Sequence, residues 1–303
     1  MTSQERATGN IYDLGYQGYD GPRLGRPSVA VGLLRATLRA AYGIGRGGRA
    51  KIAPFLLLAL SVLPAVLAVG IQALATQAGA GAEVGEASPI RHDTYQSLTS
   101  TLIMLFCAAQ APELFGRDQR YNVLPLYFSR VLTRVDYALA RLGGLFLAVF
   151  IISIVPQLIL SLGAILAAPD PVRGLTDDLP EVPRYLAVSL ISAGLLAGVS
   201  GVIAAWTPRR AYATAAIIAA FIIPPIVVGI LAELAVGDLA RILVLVSPGD
   251  ILDGVNAATF DAFSPNPTIV AADLPGWLYV AAAGVGVVGC VLLVVRRYLG
   301  ITG

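Results

Sequence analysis

PELFGRDQRYNVLPLYFSRVLTRVDYALAR, residues 112–141, decides how the rest of the chain is read, because it is an Arg-studded, half-amphipathic stretch between two apolar runs long enough to cross a bilayer. Arg117, Arg120, Arg130, Arg134 and Arg141 would each cost ~2.5 to 3.5 kcal/mol at the centre of a membrane. The stretch is therefore expected outside the hydrocarbon, as a handle on one side of it. Its interleaved Leu, Phe and Tyr call for a protein partner or a lipid surface.

Outward from this handle, composition sets the class. Hydrophobic residues make up 56% of the 303, charged residues 13%, and the mean hydropathy is +0.75, which is the usage of a polytopic membrane protein. Six apolar runs, near 52–75, 94–111, 142–168, 185–206, 211–235 and 276–295, each approach the ~20 residues that span ~30 Å of hydrocarbon. The expected fold is thus all-α and polytopic. Mid-span prolines (Pro64, Pro156, Pro224 and Pro225) predict kinks, and Gln110, Pro224 and Pro225 are candidate pathway residues.

Arginine placement gives the expected topology. The tail and first helix carry eight Lys or Arg, the handle five, the Thr207–Arg210 turn two, and Arg296 and Arg297 two more. The remaining loops carry only Arg91, Arg173, Arg184 and Arg241. Both termini are therefore expected in the cytoplasm of a cell whose plasma membrane holds the chain. Met1–Pro27 is a Gly- and Tyr-rich tail too polar to span, with no apolar segment of the kind a cleaved signal needs, so the first span is expected to direct insertion. Residues 28–51 read as an amphipathic interfacial helix capped by Ser28, with Val31, Leu34, Leu38, Ala41 and Tyr42 on one arc and Arg35, Arg39 and Arg46 beside it. Packing of that arc on the protein's own spans is compatible with the same pattern. Residues 52–298 form the six-span domain, whose segment 236–275 predicts two short helices, near Asp238–Val246 and Ile251–Phe260, joined by Ser247-Pro-Gly-Asp250 as a re-entrant hairpin or an outer cap.

Three chemistries find no support in the sequence. A phosphate-binding loop needs Gly-x-x-x-x-Gly-Lys followed by Ser or Thr, and the only lysine, Lys51, is followed by Ile52. The sole histidine, His92, reads as a solvated loop residue, Cys107 and Cys290 as packing residues, and no metal-ligand spacing occurs. Gly198-Val-Ser-Gly201 matches the Gly-x-Ser-Gly of rhomboid proteases, but a nucleophilic serine needs a base and no span carries a histidine to supply one. Gly194, Gly198, Ser200 and Gly201 therefore read as a small-residue packing face. Neither a catalytic residue nor a nucleic-acid partner is expected.

With these elements in order, the chain resembles the membrane subunit of ABC-2 type exporters, of actinobacterial kind. Glu113-Leu-Phe-Gly-Arg-Asp-Gln-Arg120, followed by Leu124-Pro-Leu-Tyr-Phe-Ser-Arg130 and Arg134-Val-Asp-Tyr-Ala-Leu-Ala-Arg141, is similar to that family's coupling segment, and Leu245-Val-Ser-Pro-Gly-Asp250 to the opening of its second re-entrant helix. The resemblance implies an exporter powered by a separate ATPase subunit that holds ATP and Mg, with no cofactor in this chain. It further implies a second permease, identical or homologous, packed through spans one and five. Glu113, Phe115, Gly116, Arg117 and Asp118 would meet the ATPase, and Arg130, Arg134 and Asp136 would hold the loop against it or against the chain's own helices. The shortage of membrane-centre charge suits a hydrophobic or amphipathic cargo. A self-contained carrier or a scaffold remains the alternative class, which co-purification of an ATPase subunit would separate.

Overall fold

The computed structural model describes residues 21, 25–81, 88–128, 132–168, 170–234 and 238–300. Most of the N-terminal tail, Arg130, and residues 236 and 237 at the start of the long outer segment lie outside them. The described helices are α1 (Arg26–Ala41), α2 (Arg49–Gln77), α3 (His92–Arg120), α4 (Leu124–Phe128), α5 (Arg134–Ala167), α6 (Pro171–Asp178), α7 (Glu181–Trp206), α8 (Arg210–Glu233), α9 (Asp238–Leu243), α10 (Pro248–Phe260), α11 (Pro267–Ala272) and α12 (Gly276–Leu299). Among the described residues there is no strand.

Six of these helices, α2, α3, α5, α7, α8 and α12, are long and apolar enough to cross a membrane, the architecture of a multi-pass membrane protein. They divide into two layers. The most apolar windows of α3, α5 and α7 are 61%, 56% and 56% buried, whereas those of α2, α8 and α12 are 17%, 17% and 22% buried. A helix that is apolar all round and mostly exposed suits lipid as its solvent. Along α2 the exposed side chains Ile52, Leu56, Leu60, Leu63, Leu67, Ile71 and Leu74 recur every three or four residues, forming one continuous stripe.

Small residues set the close approaches. A Cβ on Gly194 would lie 3.1 Å from Val287, and one on Gly198 would lie 2.9 Å from Cys290 Cβ, so α7 and α12 meet through Gly194 and Gly198, whereas a Cβ on Gly201 would lie 2.9 Å from Leu142 of α5. On α5 a Cβ at Gly144 would come within 2.5 Å of Thr37 Cβ, which lets α1 lie directly on α5. Tyr42 closes that contact by donating its hydroxyl to the Ala148 carbonyl at 2.8 Å. The turn into α2 needs Gly43, whose φ is +67° and whose missing Cβ would stand 2.5 Å from the Ala50 oxygen.

Three expectations need correction. The helix does not stop at Ala111: α3 runs through Pro112 to Arg120, ending where Asn122 takes φ of 51°, and α5 begins at Arg134 rather than Leu142. The handle is largely the continuation of two spans. Ser28 is not the cap of α1, which starts at Arg26 with Gly25 as its cap and a proline in its first turn. His92 is not a solvated loop residue; it opens α3, stacks on Tyr185 at 5.0 Å, and its Nδ1 lies 2.6 Å from Gln157 Oε1 and its Nε2 3.7 Å from Asp178.

Candidate functional site at the arginine-rich end

Helical geometry sorts the end of α3 into two faces. At 3.6 residues per turn, Leu114, Phe115, Gly116 and Asp118 turn inward and are buried, while Arg117 and Arg120 are exposed and Glu113 lies at the boundary. Phe115 is fully buried in the central core. Gly116 supports the turn between α7 and α8, since a Cβ there would come within 3.0 Å of the Pro208 carbonyl oxygen.

Asp118 meets Arg141 across the α3–α5 contact. The carboxylate accepts from Arg141 Nη2 and from the Tyr137 hydroxyl at 2.7 Å, and Arg141 Nε donates to Tyr137 at 3.2 Å. Thr37 of α1 completes the set, 3.4 Å from Arg141 Nη1. Both members of the ion pair are about nine-tenths buried, with side-chain exposures of 10% and 11%. Burying two charges is tolerated only when they are paired and further hydrogen-bonded; Tyr137 supplies those bonds, with Thr37 at longer reach.

Glu113 is shared by three arginines from three elements. Arg46 of the α1–α2 turn lies at 3.4 Å, Arg120 of α3 at 3.8 Å, and Arg210 at the start of α8 at 3.8 Å. Burial holds the Arg46 guanidinium below its ordinary value; Glu113 works against that shift, while Arg117, Arg210 and Arg141 reinforce it.

The start of α5 carries the third cluster. Thr133 and Asp136 form a capping box, with Asp136 Oδ2 accepting from the Thr133 amide at 3.0 Å and Thr133 Oγ1 from the Asp136 amide at 3.2 Å. Arg26 of α1 closes on the same carboxylate with Nε at 2.6 Å and Nη2 at 3.0 Å; its pKa is raised, chiefly by that hydrogen bond. Arg134 lies over the Phe128 ring at 5.7 Å and donates to the Leu299 carbonyl at 3.3 Å. Gln119 bridges the Ala205 carbonyl and Tyr298, while Arg297 donates to that same carbonyl at 3.2 Å.

Among the described residues at this end, the three carboxylates are thus engaged, and cations remain over. Exposed Arg35, Arg39, Arg49, Lys51, Arg117 and Arg296 make no ion pair among the described residues. The resulting surface can bind an acidic protein face or anionic headgroups.

The sequence-predicted residues therefore occupy different positions. Phe115, Gly116 and Asp118 lie inside the bundle, Glu113 lies under three arginines, Arg134 and Asp136 tie α5 to α12 and α1, and Arg117 faces outward. Arg130 is outside the described residues. Gln110 is buried within α3, and Pro225 packs towards Gly249, whose added Cβ would lie 3.1 Å from its ring, so Gln110 and the proline pair are not brought together in either of the two cavities described. Sequence reading missed Arg26, Thr37, Arg46, Tyr137 and Arg210 as partners. Only Tyr137 had a local signal, the four-residue spacing to Arg141 that places both on one helix face.

No family model matches the chain, and no curated protein matches it.

Proposed function

We propose that the chain is the membrane-spanning subunit of an ATP-driven exporter of ABC-2 type, set in the plasma membrane with both termini in the cytoplasm. A separate ATPase subunit binds ATP and Mg, and a second permease, identical or homologous, completes the transporter. This chain does no covalent chemistry. Its cargo is hydrophobic or amphipathic, in keeping with spans that carry little charge.

One observation carries the reading: a surplus of exposed arginines on a surface whose carboxylates are all internally engaged, built where α3, α5, α8 and α12 converge. Force delivered to such a surface passes straight into four membrane helices, because ion pairs and hydrogen bonds join their ends. Within the coupling segment, Arg117 is the outward contact to the ATPase. Phe115, Gly116 and Asp118 transmit from inside, and α4 presents the remaining surface. Helix α1 lies at the inner interface with Arg35 and Arg39 towards headgroups. Helices α9 and α10 form the re-entrant pair, and the exposed stripe of α2, with the exposed face of α8, meets the second permease.

The test is affinity purification of the full chain from its native membrane, followed by ATPase measurements on the recovered complex. A subunit carrying a phosphate-binding loop should co-purify, and Arg117→Glu should remove cargo-stimulated ATP hydrolysis without lowering the yield of folded protein. Recovery of the chain alone, with no ATPase, would refute the exporter and leave a self-contained carrier or scaffold.

A further inference from the structure

At the opposite end of the bundle, the first turn of α3 faces α10 across a cavity of about 550 Å³. Asp93 and Ser97 line it from α3, Asp253 and Asn256 from α10, and Leu98 and Phe263 are among its apolar walls. The two helices are joined there, since the Asn256 amide donates to the Asp93 main-chain carbonyl and Ser97 lies 3.4 Å from Asp253.

Three features of this cavity point to one kind of occupant. No Lys, Arg or His is among its described lining residues, although basic residues outnumber acidic ones in the chain. Arg91 reaches Asp93 Oδ1 only from the solvent side, at 3.6 Å, with its own side chain 62% exposed. Asp253 pairs with no cation among the described residues: its oxygens receive the Asn266 amide at 2.9 Å and the Ser97 hydroxyl, and Asn266 is shared with the buried Asp250.

Two of the polar atoms are acceptors without a hydrogen-bond donor. Asn256 is 7% exposed and its Oδ1 has no hydrogen-bond partner, and Asp93 Oδ1, though ion-paired with Arg91, accepts no hydrogen bond. An unpartnered buried acceptor carries a desolvation cost of ~1 to 3 kcal/mol, which a donor would relieve. A carboxylate pair beside it favours a donor that is charged. Among the described residues no three His, Cys, Asp or Glu come together as a metal site, and the walls are apolar, so the donor belongs to an organic molecule. A primary ammonium has three N–H donors and no acceptor, which fits two carboxylates and an unpartnered amide oxygen.

We infer that this cavity binds a primary organic ammonium ion carried on an apolar body, with the ammonium group between Asp93, Asp253 and Asn256 and the body against Leu98 and Phe263. The volume lies within the ~300 to 1,000 Å³ of small-molecule sites. Burial, with Asp250 adding to it, pushes the Asp253 carboxyl above its usual range, as a carboxylate lacking its counter-cation would show; a bound ammonium would supply one. The site needs no ATPase partner, so it stands or falls separately from the exporter reading.

The test uses the full chain in phosphatidylcholine nanodiscs, with empty nanodiscs subtracted, and titrates 4-phenylbutylammonium against 4-phenylbutan-1-ol by calorimetry. The amine should bind saturably, at least about tenfold tighter than the alcohol, and Asp253→Asn should weaken the amine about tenfold while leaving the alcohol unchanged. Equal binding of amine and alcohol, or an undiminished amine affinity in Asp253→Asn, would overturn the inference. Should that variant fail to fold, Leu98→Trp fills the cavity from a partly exposed position and must abolish amine binding. Retained binding there would equally reject the site.

Discussion

Removing the Asp118 carboxylate should strand Arg141, and the structure sets the scale of the damage. Asp118 is the only charged acceptor for Arg141 among the described residues, and it also receives the Tyr137 hydroxyl. In Asp118→Ala the guanidinium keeps only neutral oxygens, Tyr137 at 3.2 Å and Thr37 at 3.4 Å, the latter outside good hydrogen-bond distance. Breaking a buried pair from one side costs about 3 to 5 kcal/mol, a factor of roughly 10² to 10⁴ in the folding equilibrium. The reverse deletion, Arg141→Met, should cost less, because an unpaired carboxyl group can be neutralised by a proton whereas a guanidinium stays charged. The double variant should recover at least ~2 kcal/mol of the summed losses, since no buried charge is left without a partner. Unfolding by SDS, followed through the fluorescence of Trp206 and Trp277, the chain's two tryptophans, reports on both ends of the bundle. Strictly additive losses in the double variant, or no loss in Asp118→Ala, would refute the buried pair.

Gly144→Ala should lift α1 from α5, because its Cβ would fall 2.5 Å from Thr37 Cβ and 3.0 Å from the Leu34 carbonyl oxygen; the expected cost is about 1 to 3 kcal/mol, and trypsin should cleave faster at Arg35 and Arg39. A wild-type cleavage rate would count against the docking of α1. At the other end, Asp253 has its carboxyl pushed up, chiefly by burial, so the folded state holds that proton more tightly than the unfolded chain. Its stabilising contribution is complete below the ordinary carboxylate value of ~4 and is lost as pH rises through the shifted value. Melting temperatures measured from about pH 4 to 7 should therefore fall more steeply in the wild type than in Asp253→Asn; parallel curves would contradict the shift.

The six spans were legible because apolar length is a local property, and α12 begins at the expected Gly276. What local pattern could not supply is the antiparallel register of neighbouring helices. Arg141 looked too costly to bury, and alone it would be. Asp118, 23 residues earlier, comes to it only because α3 and α5 run as one continuous pair past the expected membrane boundary. The same reason hid Glu113's partners, which come from the α1–α2 turn and from α8 as well as from α3. His92 was misread in the opposite direction: its neighbours Gln157, Asp178 and Tyr185 all arrive from later elements, so its own surroundings in the chain looked merely polar.

The length of α5 has a mechanical consequence. Its 34 residues make a rod of about 51 Å, against ~30 Å of hydrocarbon, so some 20 Å stands clear of the bilayer core. A rod of that length turning by only ~5° about its middle sweeps each tip through about 2 Å. Helix α1 is strapped to one tip by Arg26 and Asp136 and seated further along at Gly144, so it travels with the stroke. On the far side, Gln157 of the same rod holds His92 at the start of α3, so a tilt of α5 would move both of its ends in opposite directions.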